Sequence, residues 1–240
     1  MAKLYVDTIE PEGATTNLAI GESGQDVILP GNDIRANVLQ DAGGNAILTS
    51  NGSGTLSGLN SGLGSAKVLI QSQIASNSAT LSFTSGIDST YDEYLFWFIN
   101  INPASDNVVF QFNGSTDGGS NYNVNKTSSA FRASCSESAS TALGYLDAQD
   151  LANSTAFQYL GDGWGNGADE CGGGELRICN VSSTVYVKNF YGRLQFYHAA
   201  NSSFDFYVGG ICNTTSAVNA FQFKMSSGNF DGTIKLYGVK

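Results

Sequence analysis

The chain is poor in charge: only 13% of its 240 residues are Asp, Glu, Lys or Arg, where a soluble globular protein carries roughly 25%. That shortage disfavours helical bundles, coiled coils and helical repeats, and leaves solubility to Ser, Thr, Asn and Gln. Histidine occurs once, at His198, so neither a His-rich metal site nor an H-E-x-x-H metalloprotease can be built within one chain. Three copies of His198 brought to a trimer axis could hold a metal, and loop oxygens could hold Ca²⁺ although no D-x-[DN]-x-[DN]-G loop is present; a strand-end imidazole packed by aromatic neighbours is the expectation. No apolar run approaches the ~18 residues of a membrane span, and the opening MAKLYVDTIEPEG lacks the apolar core of a secretory signal. Synthesis and folding in a cytoplasm are expected, without membrane insertion.

Basic residues are also scarce, 11 against 21 acidic ones, for a formal charge of −10. Phosphate backbones repel such a chain, so nucleic acid is not an expected partner. No glycine loop is followed by G-K-[ST], no G-x-S-x-G elbow occurs, and Gly52, Gly54 and Gly58 are spaced one residue too widely for a dinucleotide fingerprint. No cofactor is expected. Four cysteines (Cys135, Cys171, Cys179, Cys212) allow three pairings, but in a reducing compartment they read as small buried hydrophobes.

What the chain does have is 29 glycines, 11% aromatic residues and 41% apolar ones, against only three prolines. Gly and Asn tolerate positive φ in tight turns, while β-branched and aromatic side chains fill a pleated surface. The expected fold is all-β, in two parts. Residues 1–65 hold a single aromatic, Tyr5, and short apolar pieces (LYVDTI, DVILP at 26–30, NAILTS at 45–50) set between glycine-rich punctuation. Such pieces lack a second layer to bury them, so this segment either stays disordered or shares an interior with sister copies.

Residues 66–240 read as a β-sandwich of jelly-roll type, with roughly ten to twelve strands separated by turns. ATLSFTS alternates like a half-buried strand, and in NVVFQFNG the side chains of Val108, Phe110 and Phe112 share a face. Tyr94 to Ile99 is apolar at every position, which predicts a strand covered on both faces and closed by Pro103. Residues 126–157 are the least regular, with TALGYLDAQDLAN open to one short helix. Gly192 is expected to mark a bend or bulge, and Ile234, Leu236 and Val239 to be locked into a sheet.

The wording LYVDTIEP, LQDAGGNAILTSNGSGTLSGLNSGL and GTIKLYGVK resembles virion structural proteins of marine bacteriophages, tail-fibre and head-fibre components among them. The resemblance implies a homotrimer on the particle surface. A slender N-terminal part would attach to other virion proteins and a C-terminal β-domain would face outward. A capsid decoration protein and a glycan-cleaving spike are the alternatives it leaves.

Local chemistry gives no catalytic residues. Asp92 with Glu93, and Asp169 with Glu170, are adjacent, and neighbours on a strand point to opposite faces, so they cannot form a glycosidase pair by themselves. An enzyme is not expected. The loop from Gly161 to Gly174 sets Trp164 among Asp162, Asn166, Asp169 and Glu170, an indole to stack on a sugar with polar groups to hold its hydroxyls. Asn121, Tyr122 and Asn123 offer a weaker version, and host surface glycan is the outside partner these loops would suit. Trp164 folded back as a lid, or packed on a neighbouring subunit, is the competing reading.

Overall fold

In the structure, a computed structural model, residues 38–40, 45–50, 53, 56–59 and 66–239 are described. The chain divides into two units, Met1–Leu63 and Gly64–Lys240. In the first, strands β1 (Val38–Gln40), β2 (Ala46–Ser50) and β3 (Leu56–Leu59) form an antiparallel sheet in the order β1-β2-β3. The NAILTS piece is thus a strand, whereas LYVDTI and DVILP lie outside the described residues.

The second unit holds twelve strands in two antiparallel sheets. They are β4 (Lys67–Ser78), β5 (Thr80–Phe83), β6 (Glu93–Pro103), β7 (Phe110–Ser115), β8 (Lys126–Ser136) and β9 (Thr141–Tyr145), followed by β10 (Gln158–Tyr159), β11 (Gly172–Cys179), β12 (Lys188–His198), β13 (Ser202–Cys212), β14 (Ala220–Met225) and β15 (Phe230–Val239). The smaller sheet runs β10-β7-β14-β5 and the larger β4-β15-β6-β11-β12-β13-β8-β9. Setting aside β8, β9, β12 and β13 leaves two four-stranded sheets, β4-β15-β6-β11 and β5-β14-β7-β10, between which the chain crosses repeatedly. That is the strand order of a jelly roll. The four remaining strands widen one sheet past its partner.

Between the jelly-roll sheets lies a cluster of phenylalanines. Phe96 of β6 meets Phe83, Phe221 and Phe223 at ring distances of 5.3, 5.4 and 4.9 Å, all edge-on, and Phe98 meets Phe110 and Phe223 at 5.3 Å each. Edge-to-face contact places the positive rim of one ring on the negative face of the next, worth about 0.5–1.5 kcal/mol per pair beyond burial. Ile234 and Leu236 of β15 are fully buried, and β15 is paired on both sides, with β4 and β6.

The widened part has no opposing strands beyond β7 and β10. Its inner face is covered by the segment 146–171, whose regular elements are only the 3-10 turn Asp147–Gln149 and the two-residue strand β10. An irregular backbone must find hydrogen bonds outside a ladder, and here it does: Lys126 and Ser154 exchange backbone bonds of 2.9 Å, Ser128 N donates to Leu151 O, and Asp150 accepts from Ala130 N. The short helix considered for TALGYLDAQDLAN shrinks to the 3-10 turn Asp147–Gln149, because the first half pairs with β8 as β9.

Two lysines are buried in this part. Lys126 Nζ donates to Asn113 Oδ1 at 2.5 Å and Val124 O at 2.7 Å; Lys188 Nζ donates to the carbonyls of Ser183, Tyr186 and Thr214 at 2.6, 3.3 and 3.2 Å. The ladder places Cys212 opposite both of them. Burial lowers the Lys126 ammonium to about 8 and raises the Cys212 thiol to about 11. All four cysteines are free, but only Cys212 is buried; Cys135 and Cys171 are exposed, contrary to the expectation of buried thiols. Gly192 likewise makes no bulge, since β12 pairs with β13 in unbroken register.

Candidate interaction face

The glycine-rich loop does not present its tryptophan. Trp164 is fully buried, stacked on Phe196 at 4.4 Å with planes 6° apart, and Gly172 supplies the space, since a Cβ there would lie 2.4 Å from the indole. Neither ring face can meet a sugar, and Trp164 is a lid on the widened part of the sandwich. Asp162 is also engaged, accepting from Arg132 Nη1 at 3.0 and 3.2 Å while that guanidinium lies 4.4 Å from the Phe204 ring. Asn166 is exposed and donates to Ala104 O, Asp169 is exposed, and Glu170 accepts from Gly167 N at 2.7 Å.

In the other loop, Asn121 donates from its backbone and side chain to Asp117, whose carboxyl is held down at about 2, chiefly by the Ser115 hydroxyl. Tyr122 is half-buried and Asn123 exposed. The two loops do not combine. Trp164 bridges Val108, just ahead of β7, while the 116–123 loop leaves the far end of that six-residue strand, about 20 Å away. His198 stacks on Phe204 at 4.0 Å and accepts from Ala200 N through Nδ1; burial lowers its pKa, so it is a neutral packing group. Among the described residues no group of three His, Cys, Asp or Glu side chains is arranged to hold a metal.

The chemistry gathers instead on the outer face of the eight-stranded sheet. One row of cross-strand partners runs Trp97, Glu175, Arg193, Tyr207, Phe131, Tyr145, from β6 to β9. At the usual strand spacing it spans about 24 Å. Phe131 stacks on Tyr207 at 4.7 Å with planes 3° apart, and the Arg193 guanidinium lies 5.2 Å from the Tyr207 ring while donating to both oxygens of Asp205, at 2.9 and 2.7 Å. Arg177, one row over, donates to Glu175 and Glu93. Gly209 carries no side chain into the space between Tyr191 and Tyr207, leaving an open trough of about 450 Å³.

The face is apolar as well. Among the described residues of the sandwich, nine large apolar side chains are exposed, and seven project from this face: Trp97, Phe131 and Tyr145 of the row, with Leu69, Ile74, Leu143 and Tyr191 beside it. The other two, Val185 and Tyr186, sit in the turn between β11 and β12. Single exposed apolar residues are ordinary, but a contiguous set on one face marks a surface that meets something. The sequence carried this in its odd-numbered strand positions: Tyr191, Arg193 and Gln195 alternate with the inward Phe190, Leu194 and Phe196. No family model, curated protein or solved structure matches the chain.

Proposed function

We propose that the protein is a non-enzymatic structural component of a bacteriophage particle, a homotrimeric fibre or appendage attached through residues 1–65 with the β-sandwich turned outward. The observation that carries this reading is the one-sided collection of exposed apolar side chains on a sandwich otherwise coated with uncharged polar groups. Such a surface serves binding, since it offers contact area and no enclosed cleft in which to exclude water from a reaction. The phrases LYVDTIEP and GTIKLYGVK, and the low charge that limits nonspecific ionic adhesion, support a particle-surface role. Asn166, Asp169 and Asn121, exposed on loops at the two ends of β7, are the contacts left for host surface glycans.

Labelling intact particles with an antibody against residues 66–240 tests it. Label on a projecting appendage is the expected result. A reconstruction in which the sandwich lies flat on the capsid lattice would make it a decoration protein, and shortened chains after incubation with host polysaccharide would make it an enzyme.

A further inference from the structure

We infer that the outer face of the eight-stranded sheet is covered by sister copies of the same chain, so that the sandwiches themselves, and not only the N-terminal segments, hold the oligomer together. This rests on the homo-oligomeric reading above and names the surface and the partner.

The occupant follows from the charge on the face. Its outward charged residues are Lys67, Arg177, Arg193 and Lys235 against Glu93, Glu175, Asp205 and Asp231, four of each sign, as the pairing registers place them. The whole chain carries −10. A copy of a strongly acidic protein is repelled by most of another copy's surface, and it can approach where the local sum is zero and Arg177 with Glu93 and Glu175, and Arg193 with Asp205, are already paired within the face. A basic partner would have selected for an acidic patch, and none is here.

Size and composition agree. Eight strands at ordinary spacing and about eight residues of length give a footprint of roughly 1,000 Å², comparable with the ~800 Å² each partner contributes to a stable interface. A sugar would use the aromatic rings, but Leu69, Ile74 and Leu143, exposed by 51, 74 and 77%, have no part in stacking on a pyranose. They suit an apolar protein surface. The sequence of β6 points the same way. Tyr94 to Ile99 is apolar throughout, the pattern of a strand buried on both faces, yet in the single chain Trp97 on its outer side is 45% exposed. The pattern is fulfilled once a second layer covers that side.

The two tryptophans make the test direct, because Trp164 is sealed in the core and Trp97 reports on the face. Acrylamide quenching of the full chain, with light scattering on the same sample, is compared with the Ile74→Asp/Leu143→Asp variant. These side chains are mostly exposed, so the substitutions leave the monomer fold intact, which the unchanged Trp164 signal of a Trp97→Phe background verifies. The expected result is a mass of three 25.2 kDa chains with both tryptophans shielded, and a several-fold rise in Trp97 quenching in the variant. A trimer whose Trp97 is freely quenched overturns this inference and leaves assembly through residues 1–65 standing. A monomer overturns both. Trp97 shielded only after adding host polysaccharide would make the face a glycan site and also overturn it.

Discussion

The jelly-roll strands and the four strands that widen the larger sheet solve the same problem with different materials. Between β4-β15-β6-β11 and β5-β14-β7-β10 the opposing layer is another sheet, its backbone satisfied by its own ladder, so the interior is filled with phenylalanine. Under β12, β13 and β8 the opposing layer is mostly the irregular 146–171 segment, whose backbone needs partners. The interior there holds Gln149, Gln158 and Ser202 beside Phe196 and Trp164, while Lys126 and Lys188 bond other irregular carbonyls, those of Val124 and of Ser183, Tyr186 and Thr214. An interior is as polar as the backbone that roofs it.

The contrast can be broken most severely at the jelly-roll centre. Phe96→Ala removes three edge-on ring contacts and opens a cavity that two sheets cannot close, and should cost about 3–5 kcal/mol in urea unfolding. An equal loss from Lys126→Met, which removes the ammonium's bonds to Asn113 and Val124, would erase the distinction between the two interiors.

The pH response sharpens it. Between about 8 and the ordinary 10.5 the unfolded Lys126 keeps a proton that the folded one has released, so stability rises with pH, by at most about 3 kcal/mol. Lys188, whose pKa is also lowered by burial, acts in the same direction. Cys212 works against them: its folded pKa of about 11 lies above the ordinary 9, so its contribution is complete below pH 9 and lost from there to pH 11. Urea midpoints should therefore climb from pH 8 to about 9 and more slowly beyond it, whereas Cys212→Ala should keep the steeper climb towards pH ~10.5. A flat profile in both proteins would mean that the lysines are not insulated from water.

A smaller effect is expected at Arg132→Ala. It removes the Asp162 ion pair and the Phe204 contact, at about 1 kcal/mol since both charged side chains are some 30% exposed and screened. The loss should shrink in high salt; a loss unaffected by salt would assign the effect to packing alone. Smallest of all, Asn121→Ala should shift the thermal midpoint by less than a degree or two, because the Asp117 turn it serves is exposed.

Much of the jelly roll was legible because alternation and closure are local. Leu81 and Phe83 turn inward as their spacing requires, Pro103 ends β6, and the number of strands falls in the expected range. The widened part was opaque for a physical reason. Whether TALGY forms a strand depends on β8 being free to pair with it, and whether Trp164 meets solvent depends on Phe196 and Gly172, 32 and eight residues further along. Nothing in the loop's own composition separates a sugar platform from a lid. The interaction face was missed because its residues come from eight strands and meet only through register. Trp97 and Tyr145 are 48 residues apart yet lie in one row.

The three carbonyls that hold the Lys188 ammonium bear on the turn just before it. Val185 and Tyr186 stand 70% exposed there, and the Ser183 hydroxyl accepts from both of their backbone amides while Lys188 clamps the carbonyls of Ser183 and Tyr186. The turn is thus a preset knob, fastened from below by a cation. Whatever seats on it forfeits little freedom in doing so, and an otherwise modest apolar contact gains residence time at no cost in reach.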